Sequence, residues 1–183
     1  MKSLKGHFLV ASPYLGDTNF FRSVVLMVQH DEEGAFGVVM NRPTSHTAAE
    51  APELAAQAPG ELDIPIHLGG PVPGPLIAVH SDISVAELEI ASGIYFSTAK
   101  DAITQIVGQS SSSFRLFSGY SGWGPGQLNG ELEAGGWLTD PATHEDVFSD
   151  YQTLWNRIAR RIGLDILSPR IRPEQMPDDP SMN

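Results

Sequence analysis

The chain has 183 residues, no cysteine and a formal net charge of −11. This length suits one domain, and the missing thiols exclude a disulfide framework, a thiolate zinc site, an iron–sulfur cluster and a cysteine nucleophile. The acidity is uneven: residues 43–99 contain no Lys or Arg and residues 101–156 contain only Arg115, a surface that repels phosphate backbones and anionic lipid and argues against a nucleic-acid or membrane partner.

Lys2 and Lys5 precede an apolar run, residues 8–11, that is too short for a signal peptide. No later run approaches the ~20 residues of a membrane span, so a cytoplasmic location is expected. Residues 7–12 read as a first strand ending at Pro13, followed by a loop at 14–19 rich in turn residues. Residues 24–30 and 35–41 are two apolar, β-branched runs joined by Asp31-Glu32-Glu33-Gly34. They predict a hairpin covered on both faces, at the centre of the sheet. Residues 47–58 predict a helix that starts late or kinks at Pro52. Residues 64–68 predict a short strand running into Gly69-Gly70-Pro71. Pro71, Pro73 and Pro75 then read as a stiff connection before a strand at 76–80.

Residues 88–91 and 94–97, separated by Ser92-Gly93, predict a hairpin with a two-residue turn. Thr98 and Asp101 resemble a capping box for a helix carrying Ile103, Ile106 and Val107 and ending at Gly108. Residues 114–117 predict a strand, 119–126 a glycine-rich loop and 127–134 a short helix. The last helix is marked by Ser149 and Gln152 as a capping box and by Leu154, Ile158 and Ile162 at four-residue spacing. Arg160 and Arg161 suit its negative end and Gly163 its C′ position. Four prolines after Ser168 read as a flexible tail. Strands arranged in hairpins predict an α+β fold with a mixed, largely antiparallel sheet and helices packed outside, in one domain over 1–167 with a tail at 168–183.

The loop at 119–126 follows a strand, yet it matches neither phosphate-binding glycine pattern. It also fails as a nucleophile elbow, because Trp123 stands where glycine is needed after Ser121. Tyr120 and Trp123 suit either stacking on a ligand or partner, or plugging the end of a sheet. Arg42 suits either a bidentate grip on an anion or an internal ion pair. Gly69 and Gly70 suit either a backbone nest or a sharp bend. The six histidines have no ligand spacing such as H-x-H, so no metal and no cofactor is expected.

Taken together, Leu4-Lys5-Gly6, Phe21-Arg22-Ser23, Gly34-Ala35-Phe36-Gly37, Asn41-Arg42-Pro43, Leu68-Gly69-Gly70-Pro71 and Gly119-Tyr120-Ser121-Gly122-Trp123 resemble the bacterial AlgH/YqgE family. The resemblance runs in order over residues 4–167 and continues through Gly126-Gln127-Leu128 and Trp137-Leu138. It implies a branched sheet curled into a pseudo-barrel. It also brings the label of transcriptional regulator, with no catalytic residues to transfer. Gln29, Ser121 and Asn129 depart from the family pattern of Glu, Ala and Glu. The expected function is a non-catalytic regulatory or protein-interaction module. One alternative is a ligand or enzyme site among Arg42, Gly69, Gly70, Tyr120, Trp123 and Gln127, near the loop at 119–127. Another is a DNA-binding regulator.

Overall fold

The apolar run at residues 24–28 serves two cores at once: Val24, Leu26 and Val28 enter one cluster, while Val25 and Met27 enter another. This is the period-two alternation of a strand covered on both faces. The computed structural model describes residues 2–12, 15, 17–51, 54, 63–109 and 112–163. The predicted tail at 168–183 lies outside the described residues, as do Pro13, Tyr14 and Gly16 of the first loop.

Strands β1 (His7–Ala11), β2 (Val24–Asp31) and β3 (Gly34–Val39) open the fold. After them come β4 (Pro43–Thr47), β5 (Pro65–Leu68), β6 (Val72–His80), β7 (Leu88–Ala91) and β8 (Ile94–Ser97). Helix α1 (Lys100–Gly108) leads into the long strand β9 (Phe114–Trp123). Helix α2 (Gln127–Glu133), strand β10 (Trp137–Pro141), and helices α3 (His144–Phe148) and α4 (Leu154–Ile162) complete it.

The ten strands make one sheet with the path β10-β1-β2-β3-β9-β6-β8-β7, and β4 and β5 branch from it. β9 is the branch point. Its last residues pair with β3 at Ser121–Trp123, while Leu116–Ser118 pair in parallel with β5. The result is the α+β, curled, largely antiparallel half-barrel that the resemblance implies. The two margins of the curl approach each other where Gly6 lies against the Ile90 carbonyl. Among the described residues, no helix is long and apolar enough to cross a membrane.

Three cores result. The inside of the curl holds Phe8, Leu26, Val38, Ile77 and Phe117 under Leu154 and Ile158 of α4. α1 packs Ile103 and Ile106 on the outer face, against Leu116 and Ala78. α2 packs Leu128 there too, against Leu9, Met27 and Trp137. A fully buried leucine such as Leu26 would cost about 2–5 kcal/mol if cut to alanine.

The central hairpin and the Leu88–Ala91/Ile94–Ser97 hairpin form as the sequence predicts, the latter with the Ala91–Ile94 pairing of a two-residue turn. Four expectations are corrected. The glycine-rich stretch is no loop as far as Trp123, because β9 runs straight through it. Gly119, at φ +71°, makes this possible: a Cβ there would stand 2.8 Å from the Val72 carbonyl oxygen. Pro73 and Pro75 lie within β6, where the pairing with β9 shifts register between Val72 and Leu76. Thr47 ends a strand rather than opening a helix. It is followed by a single 3-10 turn at Ala48–Glu50, with most of the rest of that helix prediction outside the described residues.

Neither capping box forms. The Thr98 hydroxyl donates to Glu87, whose carboxylate also accepts the Thr98 and Ala99 N–H groups. Ser149 instead accepts from Arg157, and α4 starts after Thr153 with no side-chain cap. The C′ glycine of α4, Gly163, does adopt φ +85°. β10 and α3 were not anticipated. α3 takes Thr143 as its cap, with the Asp146 N–H donating to the hydroxyl.

Candidate functional site

An open groove of about 630 Å³ lies where β3, β9, β6 and β8 pass one another. Its floor is three half-buried rings: Phe36 of β3, Tyr120 of β9 and Phe96 of β8. The strand register explains their meeting. Phe36 pairs with Gly122 and Tyr120 with Val72, so these side chains project from one face of the sheet. Phe36 meets Tyr120 at 6.2 Å between centroids and Phe96 at 5.8 Å, both edge to face. Such pairs contribute ~0.5–1.5 kcal/mol beyond the area they bury. Tyr120 is flanked by glycines. A Cβ on Gly74 would approach its ring to 3.2 Å, and one on Gly122 to 3.3 Å.

One wall is the tip of the β2–β3 hairpin. Asp31 there is fixed by hydrogen bonds. Its carboxylate accepts from Gln29 Nε2 at 2.6 Å and from the Glu33 N–H at 2.9 Å. These bonds, Gln29 first, hold its pKa below the usual carboxylate value, so it stays anionic. Glu33 stands beside it, and the opposite wall is apolar, with Val72, Pro75 and Ile77.

Of the six residues singled out from the sequence, Tyr120 and Trp123 reach this groove. Trp123 only borders it. Its ring packs behind the sheet against Phe20 and Trp137, and its indole N–H donates to Glu131 at 2.9 Å. Trp137 donates to the same Glu131 oxygen at 2.7 Å. Gln127 belongs to that assembly, accepting from the Gly124 N–H and donating to the other Glu131 oxygen.

Gly69 and Gly70 form a bend pressed against β9. Cβ atoms there would lie 2.2 Å from the Gly119 carbonyl oxygen and 2.3 Å from the Tyr120 backbone. The Gly69 carbonyl is already taken by the Val39 N–H and the Ser121 hydroxyl. Arg42 is half-buried and donates to the Phe21 carbonyl at 3.0 Å. Burial lowers its pKa, while Asp17 nearby works the other way. Its neighbour Asn41 grips the Arg22 carbonyl and the Val24 N–H. This pair thereby ties down the turn in which Arg22 takes φ +52°, a conformation costly to a residue other than glycine.

Three of the histidines, His30, His67 and His80, are buried. His30 Nδ1 accepts from the Leu4 N–H. His80 Nε2 lies 3.0 Å from Ser97, whose hydroxyl donates to the Val85 carbonyl, so the imidazole is the donor. His67 is buried beside Tyr151 and Phe117, and burial, followed by the charge of Arg115, lowers its pKa to about 4. Arg115 itself is pushed down to about 10 by burial. It donates to the Met40 and Ser149 carbonyls and lies over the Tyr151 ring. Among the described residues, no group of three His, Asp or Glu side chains is placed to hold a metal ion.

Sequence reading missed Phe36, Phe96 and Asp31 as groove residues. Phe36 sat within a continuous apolar run that looked wholly buried, and only the register with β9 reveals the face it shares with Tyr120.

A family model described as AlgH-like matches residues 8–167 of the chain. A UPF0301 protein of Myxococcus xanthus is 38% identical over 170 residues, covering 90% of this chain and 94% of that protein. One from Chlorobaculum tepidum is 36% identical over 165 residues, or 86% of each. The solution structure of the AlgH protein from Pseudomonas aeruginosa superposes with a TM-score of 0.75 at 32% identity, covering 93% of this chain and 96% of that one. A crystal structure from Corynebacterium diphtheriae gives a TM-score of 0.71 at 26% identity over 88% of each chain. The chain belongs to the AlgH-like family.

Proposed function

We propose that this chain is a non-catalytic binding module that takes an extended, mainly apolar segment of a partner protein into the aromatic groove. The observation that carries the reading is the uncovered floor of Phe36, Tyr120 and Phe96. Elsewhere the sheet buries its aromatic rings under helices, as with Trp123 and Trp137 beside α2. Sites for small molecules enclose most of their ligand, whereas this trough is open along one side and suits a longer occupant. The non-catalytic part of the reading is supported by how the polar groups at the groove and on the far side of β9 are used. Gln29 holds Asp31, Gln127 holds Glu131, and the Gly69 carbonyl is doubly bonded.

The test is a random-peptide selection on the immobilised protein, run in parallel on a Tyr120→Ala variant. The expected result is an enriched apolar motif that the variant does not retain. No enriched motif, or one retained equally by both proteins, would overturn the reading.

A further inference from the structure

The groove has charge as well as shape. Its lining contains two carboxylates, Asp31 and Glu33, and no Lys, Arg or His. The sequence makes this asymmetry regional, since residues 43–99, which supply the five strands from β4 to β8, contain no Lys or Arg. Asp31 is an exposed anion whose orientation is set by hydrogen bonds. Gln29 and the Glu33 and Gly34 backbone N–H groups bond to it, and a carboxylate has capacity for about four, so acceptor capacity remains for an incoming donor.

The floor complements the same charge. An aromatic ring carries a negative face, and a cation within ~6 Å of it is attracted. The protein already uses this interaction at two closed places. The Arg22 guanidinium lies 5.1 Å from the Trp155 ring centroid, and that of Arg115 lies 5.6 Å from Tyr151. Tyr120 presents its ring beside Gly74 and Gly122, which carry no side chain to cover it. An acidic or phosphorylated segment would be repelled by both features, and a purely apolar one would leave the two carboxylates unanswered.

Building on the binding reading above, we infer that the partner segment carries a basic residue, an arginine or lysine, whose cationic head lies over Tyr120 and pairs with Asp31 and Glu33. The apolar residues around it fill the floor at Phe36 and Phe96 and the wall at Val72 and Ile77. The carboxylates set which segment is accepted, and the rings set how tightly it is held.

The test uses heptapeptide libraries in which one position is fixed as Arg, citrulline or Glu and the other six are varied among apolar residues. Citrulline keeps the shape of arginine and removes its charge. Retention is measured on the parent protein, on Tyr120→Ala, on Glu33→Gln and on Asp31→Asn/Glu33→Gln. Glu33 is exposed, so its single variant keeps the test valid if the double variant folds poorly.

The inference expects the Arg library to be retained roughly tenfold over citrulline, a preference that shrinks in Glu33→Gln and in raised salt. The Glu library should be excluded. Equal retention of Arg and citrulline, both lost in Tyr120→Ala, would overturn the cation while leaving the groove as a binding site. Retention indifferent to Tyr120→Ala, or none for any library, would overturn both.

Discussion

Tyr120 and Trp123 lie three residues apart on β9, and an odd spacing along a strand sends them to opposite faces. Behind Trp123 stands α2, whose Glu131 collects the indole N–H groups of Trp123 and Trp137 on one oxygen and Gln127 on the other. That face is sealed and its polar atoms are answered from within. No helix residue lines the groove in front of Tyr120, whose neighbours are two glycines and another ring, with Asp31 in the lining of the same groove. One strand thus separates a closed face from one that carries an open groove, and identical residue chemistry has different consequences on the two sides.

The largest expected effect removes the partition altogether. Gly69→Ala places a methyl 2.2 Å from the Gly119 carbonyl oxygen, so β5 and β9 must part. The expected loss is about 4 kcal/mol, with little folded protein by circular dichroism. A folded variant with a melting temperature within a few degrees of the parent would show that the bend is not what holds β9 in place.

Next comes acid. His67 belongs to the sealed part of the molecule, and its folded pKa of about 4 lies below its ordinary 6.5. The neutral ring is therefore favoured in the native state. Between these values the unfolded chain binds the extra proton, so stability is full above about pH 6.5 and falls as pH drops towards 4. The loss amounts to about 3 kcal/mol at most. Denaturant titrations from pH 7 to 4 should show it, and His67→Leu should flatten that slope. An unchanged slope in the variant would assign the acid sensitivity elsewhere.

Glu131→Ala tests the closed face directly. It strands two indole N–H groups, and the expected cost is about 2 kcal/mol, read as a fall in melting temperature of roughly 4–8 °C. Tryptophan fluorescence should shift red as Trp123 and Trp137 loosen. No shift would mean that packing alone holds these rings.

Tyr120→Ala should have the smallest effect on stability, about 1 kcal/mol, because the ring is half-exposed. Its effect on peptide retention should nevertheless be complete. The reverse outcome, a large loss of stability with binding intact, would make Tyr120 a core residue and erase the distinction between the two faces.

Local signals were legible in the sequence and long-range ones were not. Ser92-Gly93 announced its hairpin because a two-residue turn is decided by its own residues. Glycines at 119 and 122 read as a loop, although they serve as clearances inside a strand. What they clear, the Val72 carbonyl and the Tyr120 ring, arrives from other positions. The capping boxes failed for the same reason: Glu87 is eleven residues before Thr98 and takes its hydroxyl. Tyr120 and Trp123 were visible as candidates, but which of them faces a groove depended on helix α2 and on the pairing of β9 with β3.

Pro73 and Pro75 carry a consequence for self-association. β8 pairs with β6 only over Ala78–His80, so the earlier part of β6 runs on without that neighbour. A bare strand margin is a template onto which another chain can zip, and it is a common origin of aggregation. Two prolines within three residues delete two of the N–H groups such a template needs. Under the proposed binding reading, a segment in the adjoining groove would lack a continuous backbone ladder along this stretch and would be recognised through its side chains. The same pair of rings removes donors that strand addition along this stretch of β6 would use.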